Sequence, residues 1–261
     1  MTHQHSISVD LNCDFGEGFG AYSFGQDDEL LRYVSSVNIA CGFHAGDPHT
    51  MRESVRKAAS AGVAIGAHPG FPDRLGFGRR SMAMTAEEVY DIVLYQLGAL
   101  KVFAHAEGVG MRHVKPHGAL YHMANQDAAI SAAIVRATCD CDNKLMVYGQ
   151  SGSILLAEAS KAGLTSVSET FADRAYEPDG SLASRNKPRA IIHDADQAAR
   201  QAVAMAVRGT AFTLEGLETP VRADTICLHG DGAHAALFAS RIREALESEG
   251  VAIRPPVEAR Q

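Results

Sequence analysis

Residues 36–49 read SVNIACGFHAGDPH, which sets His44, Asp47 and His49 directly behind a run of small and β-branched residues. Imidazoles and a carboxylate gathered this closely can ligate a divalent ion or exchange protons near neutral pH. The same pairing of an apolar run with a polar end recurs along the chain. Asp10, Asn12 and Asp14 alternate with Leu11 and Cys13, so on an extended strand they share one face, and Glu17 follows in a glycine-rich loop. His68 closes VAIGAH, Lys115 and His117 alternate in HVKPH, and Tyr148 and Gln150 end LMVYGQ. Glu169, Asp173 and Arg174 follow LTSVS, and His229 and Asp231 end TICLHGD.

Two chemistries fit these groups. His44 and His49, joined by Asp10 or Asp14 or by His68, offer mixed nitrogen and oxygen donors to a divalent metal. Alternatively, the imidazoles are general acids and bases, or hydrogen-bond within a polar cleft. Lys115, between Val114 and Pro116, is either a base with a depressed pKa or a fixed cation facing an anionic ligand. Arg79 and Arg80 in GFGRR can clamp a carboxylate or phosphate, or form a solvent-facing pair. No G-x-x-x-x-G-K-[ST] loop and no G-x-S-x-G elbow occurs, which removes the P-loop nucleotide site and the usual serine hydrolase. Cys139-Asp140-Cys141 is too short and isolated for a zinc site.

Positioning such groups requires strands that end together, and strand and helix signals do alternate. Strands are expected at Ile7–Cys13, Ser36–Cys41, Val63–His68, His113–His117, Leu145–Gly149, Leu164–Phe171 and Thr225–His229. Helices are expected near Asp27–Val34 and over Thr50–Ala61, Ala86–Glu107, Asp127–Thr138, Gly152–Ala162, Asp194–Arg208 and Ala233–Glu249. Thr85 and Glu88 form a capping-box pattern, and glycines at 62, 108, 163, 209 and 250 sit where left-handed C-caps belong. The stretch Thr210–Ala223 reads either as a small hairpin or as a loop packed outside. With no linker, repeat or low-complexity tract, seven β/α units imply a single-domain α/β fold, an irregular parallel (β/α) barrel over residues 1–261. In such a barrel the strand ends converge on one mouth. Asp10, Asn12, His44, His68, Lys115, His117, His229 and Asp231 are then expected to face one cavity, and Lys115→Ala and His117→Ala to leave folding intact.

Composition narrows the classes further. A net charge of -7 with acids and bases interspersed argues against a nucleic-acid binder. No run of ~18 apolar residues suggests a membrane span, and the N-terminal residues lack a basic region followed by an apolar run. Five scattered cysteines point to reduced thiols in a cytoplasmic protein rather than a disulfide framework.

Seven blocks carry a resemblance: DLNCDFGEG (10–18), NIACGFHAGDP (38–48), GAHPGFPD (66–73), GFGRR (76–80), HVKPHGALY (113–121), FADRAY (171–176) and ICLHGD (226–231). Together, from about Ser8 to Val251, they resemble the LamB/YcsF family of lactam-utilisation proteins. The resemblance implies a barrel of the glycoside hydrolase/deacetylase type. It also implies ATP-dependent hydrolysis of 5-oxo-L-proline (pyroglutamate) to L-glutamate, with ADP and phosphate formed, Mg accompanying the ATP, and subunits B and C as partners. A homo-oligomer is compatible with it. On this reading Asp14, Glu17, His68, Lys115, His117 and His229 are the catalytic candidates. Asn12, Asn38, Arg79, Glu169, Arg174 and Asp231 would hold substrate, and Asp10, His44 and His49 would hold a divalent metal in the mouth. Two rival readings use the same residues: a stand-alone metal-dependent amidohydrolase or deacetylase, and a non-catalytic lactam-binding subunit. Departures from the family pattern are His122 after KPHGALY, Gly232-Ala233 after HGD, and Lys187-Pro188-Arg189. They bear on loop geometry.

Overall fold

The structure, a computed structural model, describes residues 7–20, 22, 27–228 and 235–257. In chain order the first elements are β1 (Ser8–Phe15), α1 (Asp27–Leu30), β2 (Ser36–Ala40), α2 (Pro48–Ala61), β3 (Ala64–His68) and α3 (Ala86–Ala106). Then come β4 (Met111–Val114), α4 (Gly118–Ala124), α5 (Ala128–Cys141), β5 (Met146–Gln150), α6 (Ile154–Lys161) and β6 (Ser166–Phe171). The chain closes with α7 (Ala195–Val203), a π-helical turn (Ala204–Arg208), β7 (Thr210–Phe212), β8 (Glu218–Pro220), β9 (Thr225–Leu228), α8 (Ala235–Ser248) and β10 (Ala252–Ile253).

Among the described residues eight strands share one sheet, and β10 pairs only with β1. The remaining seven form a closed parallel ring in the order β1-β2-β3-β4-β5-β6-β9, with β9 returning to β1. Helix ends behave as the residue types dictate. Asp47 caps α2 by accepting from the Thr50 amide, with Pro48 beginning the helix, and Gly62 ends it at φ 69°. Thr85 and Glu88 complete a reciprocal capping box on α3. The glycines at 108, 163, 209 and 250 also take left-handed φ, at 73°, 80°, 66° and 73°.

Some expected boundaries move, each for a local reason. The strand read at His113–His117 is β4, Met111–Val114. The Lys115 amide still bonds the Ala67 carbonyl at 2.9 Å, but Pro116 has no N–H to offer and His117 becomes the N-cap residue of α4, a helix not anticipated from sequence. The helix read to Val34 stops at Leu30. Thr210–Ala223 resolves as the hairpin reading, since β7 and β8 pair antiparallel beside the barrel.

Alternation along the strands sorts side chains into two sets. Val9, Leu11, Val37, Ile39, Val114 and Val147 join the apolar layer under the helices. Asp10, Asn12, Asn38, His113, Tyr148 and Glu169 are buried inside the ring. A polar lumen costs stability unless its groups find partners, and the register of the strands supplies most of them.

Candidate active site

The closed middle of the barrel is organised by Asp10. Its carboxylate accepts hydrogen bonds from Ser35 (2.6 Å), Ser36 (2.6 Å), Thr225 (2.7 Å) and the Tyr148 hydroxyl (3.0 Å). Burial pushes its pKa up, and these bonds oppose that shift. All four donors hold Asp10 where it is, so it is a structural anchor. Asp14 lies four residues further along β1, about 13 Å at the usual strand rise.

Above Asp10 the amides take over. Asn12 Nδ2 donates to Thr225 Oγ1 at 2.8 Å and Glu169 Oε1 at 3.0 Å, while its Oδ1 accepts from Asn38 Nδ2 at 2.7 Å. Asn38 also donates to Asp14 Oδ1 at 3.0 Å and accepts from His113 Nε2 at 2.8 Å. Lys115 Nζ then sits among Glu169 Oε1 (2.8 Å), Asp14 Oδ1 (3.2 Å), Asn12 Oδ1 (3.2 Å) and Cys227 Sγ (3.1 Å). Burial alone would push this ammonium down, but the surrounding Asp14, Cys227 and Glu169 outweigh it and hold its pKa well above the usual lysine value. Of the two readings of Lys115, the fixed cation is the one the geometry supports.

His113 is not among the expected site residues, although it shares the face of Lys115 and His117 by the same period of two. Its ring stacks on Tyr148 with centroids 4.0 Å apart. Its Nδ1 is buried without a hydrogen-bond partner, so a second proton would have no acceptor. Burial, followed by the Lys115 charge, lowers its pKa to about 3. The unfolded chain would protonate this histidine near pH ~6.5. Stability linked to His113 is therefore full above that pH and declines as pH falls toward the folded value. We expect urea unfolding to show stability falling by several kcal/mol, on the order implied by that shift, between pH ~6.5 and acid. A His113→Gln variant should show a shallower decline; an unchanged slope would contradict the assignment.

At the open end three imidazoles meet. His68 Nε2 lies 2.9 Å from His117 Nδ1 and 3.3 Å from Asp14 Oδ2. His44 stacks face to face on His117, centroids 3.7 Å apart, and its Nε2 is 3.3 Å from Glu17 Oε1. Burial, then the neighbouring His117 and His68, hold His44 well below the usual histidine range; burial, then His68, lowers His117 to about 3. One potential ligand atom from each of Glu17, His44, His68 and His117 lies within 4.8 Å of the others.

The GFGRR loop shapes this cluster by backbone rather than by its arginines. Phe77 adopts φ 54°, a strained value for a residue with a side chain, and its carbonyl oxygen meets His117 Nε2 at 2.7 Å. Any side chain at Gly78 would place its Cβ 2.7 Å from His44 Cβ, and one at Gly70 would come 2.6 Å from His44 Nδ1. Only glycine leaves room for the stacked rings.

Other expected residues lie apart from this cluster. His49 is exposed in the first turn of α2, so the expected trio of Asp10, His44 and His49 does not assemble as one ligand set. Asp47 is occupied capping α2 and also accepts from the Gly20 amide at 2.8 Å. Arg79 is exposed at the rim, its guanidinium 5.0 Å over the Phe77 ring, and Arg80 is paired with Asp73. Arg174 is buried beyond β6, donating to the Ala183 carbonyl, and lines a separate cavity with Asn125, Gln150 and Arg185. His229 and Asp231 fall outside the described residues. Asn12, Asp14, Asn38, His68, Lys115, His117 and Glu169 do come together, through the bonds given above.

Residues 9–261 match the family model described as LamB/YcsF family. The chain belongs to the LamB/YcsF family. Among LamB/YcsF relatives, a protein of Geobacillus kaustophilus named as the A subunit of 5-oxoprolinase is 55% identical over 249 residues, covering 95% of this chain and 97% of its own. One of Brevibacillus brevis with the same name is 54% identical over 246 residues, covering 94% and 97%. The crystal structure of a lactam utilization protein from Thermus thermophilus superposes with a TM-score of 0.91 at 49% identity, covering 95% of this chain and 99% of that one.

In this LamB/YcsF barrel the mouth thus presents imidazoles, carboxylates and one ammonium held rigidly by side chains from β1, β2, β6 and β9. Such preorganised charge is suited to moving protons and to stabilising charge that develops during reaction. Among the described residues no helix is long and apolar enough to cross a membrane, and all five cysteines are free thiols.

Proposed function

We propose that the chain is the A subunit of a 5-oxoprolinase. With partner subunits B and C it opens 5-oxo-L-proline to L-glutamate in the cytoplasm, coupled to hydrolysis of ATP to ADP and phosphate. The observation that carries this reading is the 55% identity to the Geobacillus kaustophilus protein of that name across 97% of its length. The mouth is compatible with it. A five-membered lactam is an unstrained amide, so water adds to its carbonyl carbon only if the carbonyl is activated and the resulting charge stabilised. Phosphorylation of the amide oxygen supplies that activation, and this is the role we give ATP, with Mg accompanying the nucleotide.

The side chains then divide the remaining work. Asp14 and Glu17 lie beside the imidazoles and take the proton of attacking water. The carboxylic acid so formed returns that proton to the ring nitrogen as the C–N bond breaks, so that it leaves as an amine. His68 and His117 orient that acid, and a second water hydrolyses the resulting acyl phosphate to glutamate and phosphate. Lys115 supplies fixed positive charge, Asn12, Asn38 and Glu169 hold it in place, and Arg79 at the rim meets the substrate carboxylate. His229 and Asp231 keep the roles implied by the family resemblance.

The chain carries no phosphate-binding loop of the P-loop type. The isolated chain is therefore expected neither to hydrolyse ATP appreciably nor to release glutamate from 5-oxoproline. Chromatographic measurement of glutamate, with and without subunits B and C, tests this. Release that requires all three subunits is the expected result. Strong ATP-driven release by the isolated chain would refute partner dependence, and no release by the complete assembly would refute the activity.

A further inference from the structure

We infer that His68, His117 and Glu17 bind one first-row divalent cation of the Zn2+ and Co2+ class, with His44 stacked against His117. The argument begins with hydrogen positions. His68 Nδ1 lies 2.7 Å from the Lys115 carbonyl oxygen, and His117 Nε2 lies 2.7 Å from the Phe77 carbonyl oxygen. A carbonyl oxygen can only accept, so both of these ring nitrogens carry their N–H. In neutral rings the remaining nitrogens, His68 Nε2 and His117 Nδ1, are lone-pair nitrogens, yet they face each other at 2.9 Å. Two lone pairs at that separation repel unless positive charge lies beside them.

Among the described residues, the groups closest to these two nitrogens are carboxylates. Glu17 Oε1 is 3.5 Å from His117 Nδ1 and 3.3 Å from His44 Nε2, and Asp14 Oδ2 is 3.3 Å from His68 Nε2. The Lys115 ammonium is directed to Asp14 and Glu169 instead. A ring N–H aimed at a backbone carbonyl is also how metal-ligating histidines fix the tautomer that frees the other nitrogen. Two nitrogens bound to one tetrahedral zinc at the usual bond length lie about 3.3 Å apart, near the separation found between His68 and His117. Two imidazoles with one carboxylate suit Zn2+ or Co2+; Mg2+ prefers an all-oxygen shell. This site replaces the Asp10, His44 and His49 set expected from sequence and shares none of its residues.

The inference does not depend on the lactam reaction, because binding is measured on the isolated full chain. Protein stripped with chelator and dialysed is titrated with Co2+ alone, followed by visible absorption, with competition by Zn2+ and by Mg2+. The expected result is one equivalent of Co2+ with the visible bands of a nitrogen-containing site, displaced by Zn2+ and not by Mg2+. Glu17→Gln and His117→Gln should each weaken Co2+ binding by more than the ~10–100-fold typical of losing an outer-shell partner. His49→Gln should bind as the natural chain does. Circular dichroism checks each variant, and Glu17→Gln carries the test should His117→Gln unfold. Absence of Co2+ binding by the natural chain, as when a proton alone is shared by His68 and His117, would overturn the inference. So would binding unchanged in both variants.

Discussion

A Lys115→Ala variant, assayed with its partner subunits, is expected to lose at least the ~100-fold of turnover typical of a group acting by acid–base or electrostatic means. It should also lose about 3–5 kcal/mol of stability, the usual consequence of leaving a buried charge without its partner. The second effect follows from the surroundings of the ammonium. Glu169 Oε1 and Asp14 Oδ1 stand 2.8 Å and 3.2 Å from Nζ, and without it these two carboxylates face each other across a lumen with little access to water. The expectation from sequence that Lys115→Ala leaves folding intact treats this residue as a solvated mouth group. Lys115 is instead the counter-ion of the barrel interior. Two measurements separate its roles: urea unfolding for stability and glutamate release for turnover. Adding Glu169→Gln to Lys115→Ala should restore part of the stability, since one orphaned charge is removed, and none of the turnover. A Lys115→Ala chain as stable and as active as the natural one would contradict both claims.

The sequence makes some of this legible and hides the rest for identifiable reasons. A period of two marks a face of a strand, and it correctly groups Asn12 with Asp14, and Lys115 with His117 across Pro116. It says nothing about depth. Asp10 shares a face with Asp14 yet belongs to the closed middle of the barrel, where Ser35, Ser36, Thr225 and Tyr148 use up its lone pairs. Those partners come from sequence separations of 25, 26, 215 and 138 residues, beyond the reach of any local pattern. His44 and His49 look equivalent as neighbours in one motif. The helix start at Pro48 divides them, sending His44 inward beside the loop and leaving His49 on the exposed first turn.

The GFGRR motif draws attention to its arginines because charged side chains advertise chemistry. Its contribution to the imidazole cluster is a backbone carbonyl at a residue with positive φ, flanked by Gly78, and no side-chain type signals that. Arg174 illustrates the opposite error. Its place just beyond a strand end suggests the mouth, but the following segment folds back through a bridge to Ile191 and carries it to a different cavity. The ring of strands itself is the easiest part to read, because alternating apolar runs, capped helices and left-handed glycines all agree on it.

The claim that the lactam is opened in this barrel mouth rests most directly on Asp14. Its carboxylate joins the two halves of the site, with Oδ1 on Lys115 and Asn38 and Oδ2 toward His68. Asp14→Asn preserves shape and removes the carboxylate that accepts the proton of the attacking water. The measurement is 5-oxoproline-dependent glutamate release by the complex reconstituted with this variant, alongside size-exclusion chromatography to verify assembly. We expect an assembled complex whose turnover is reduced by at least ~100-fold. An assembled complex releasing glutamate at the natural rate would place the chemistry outside this mouth.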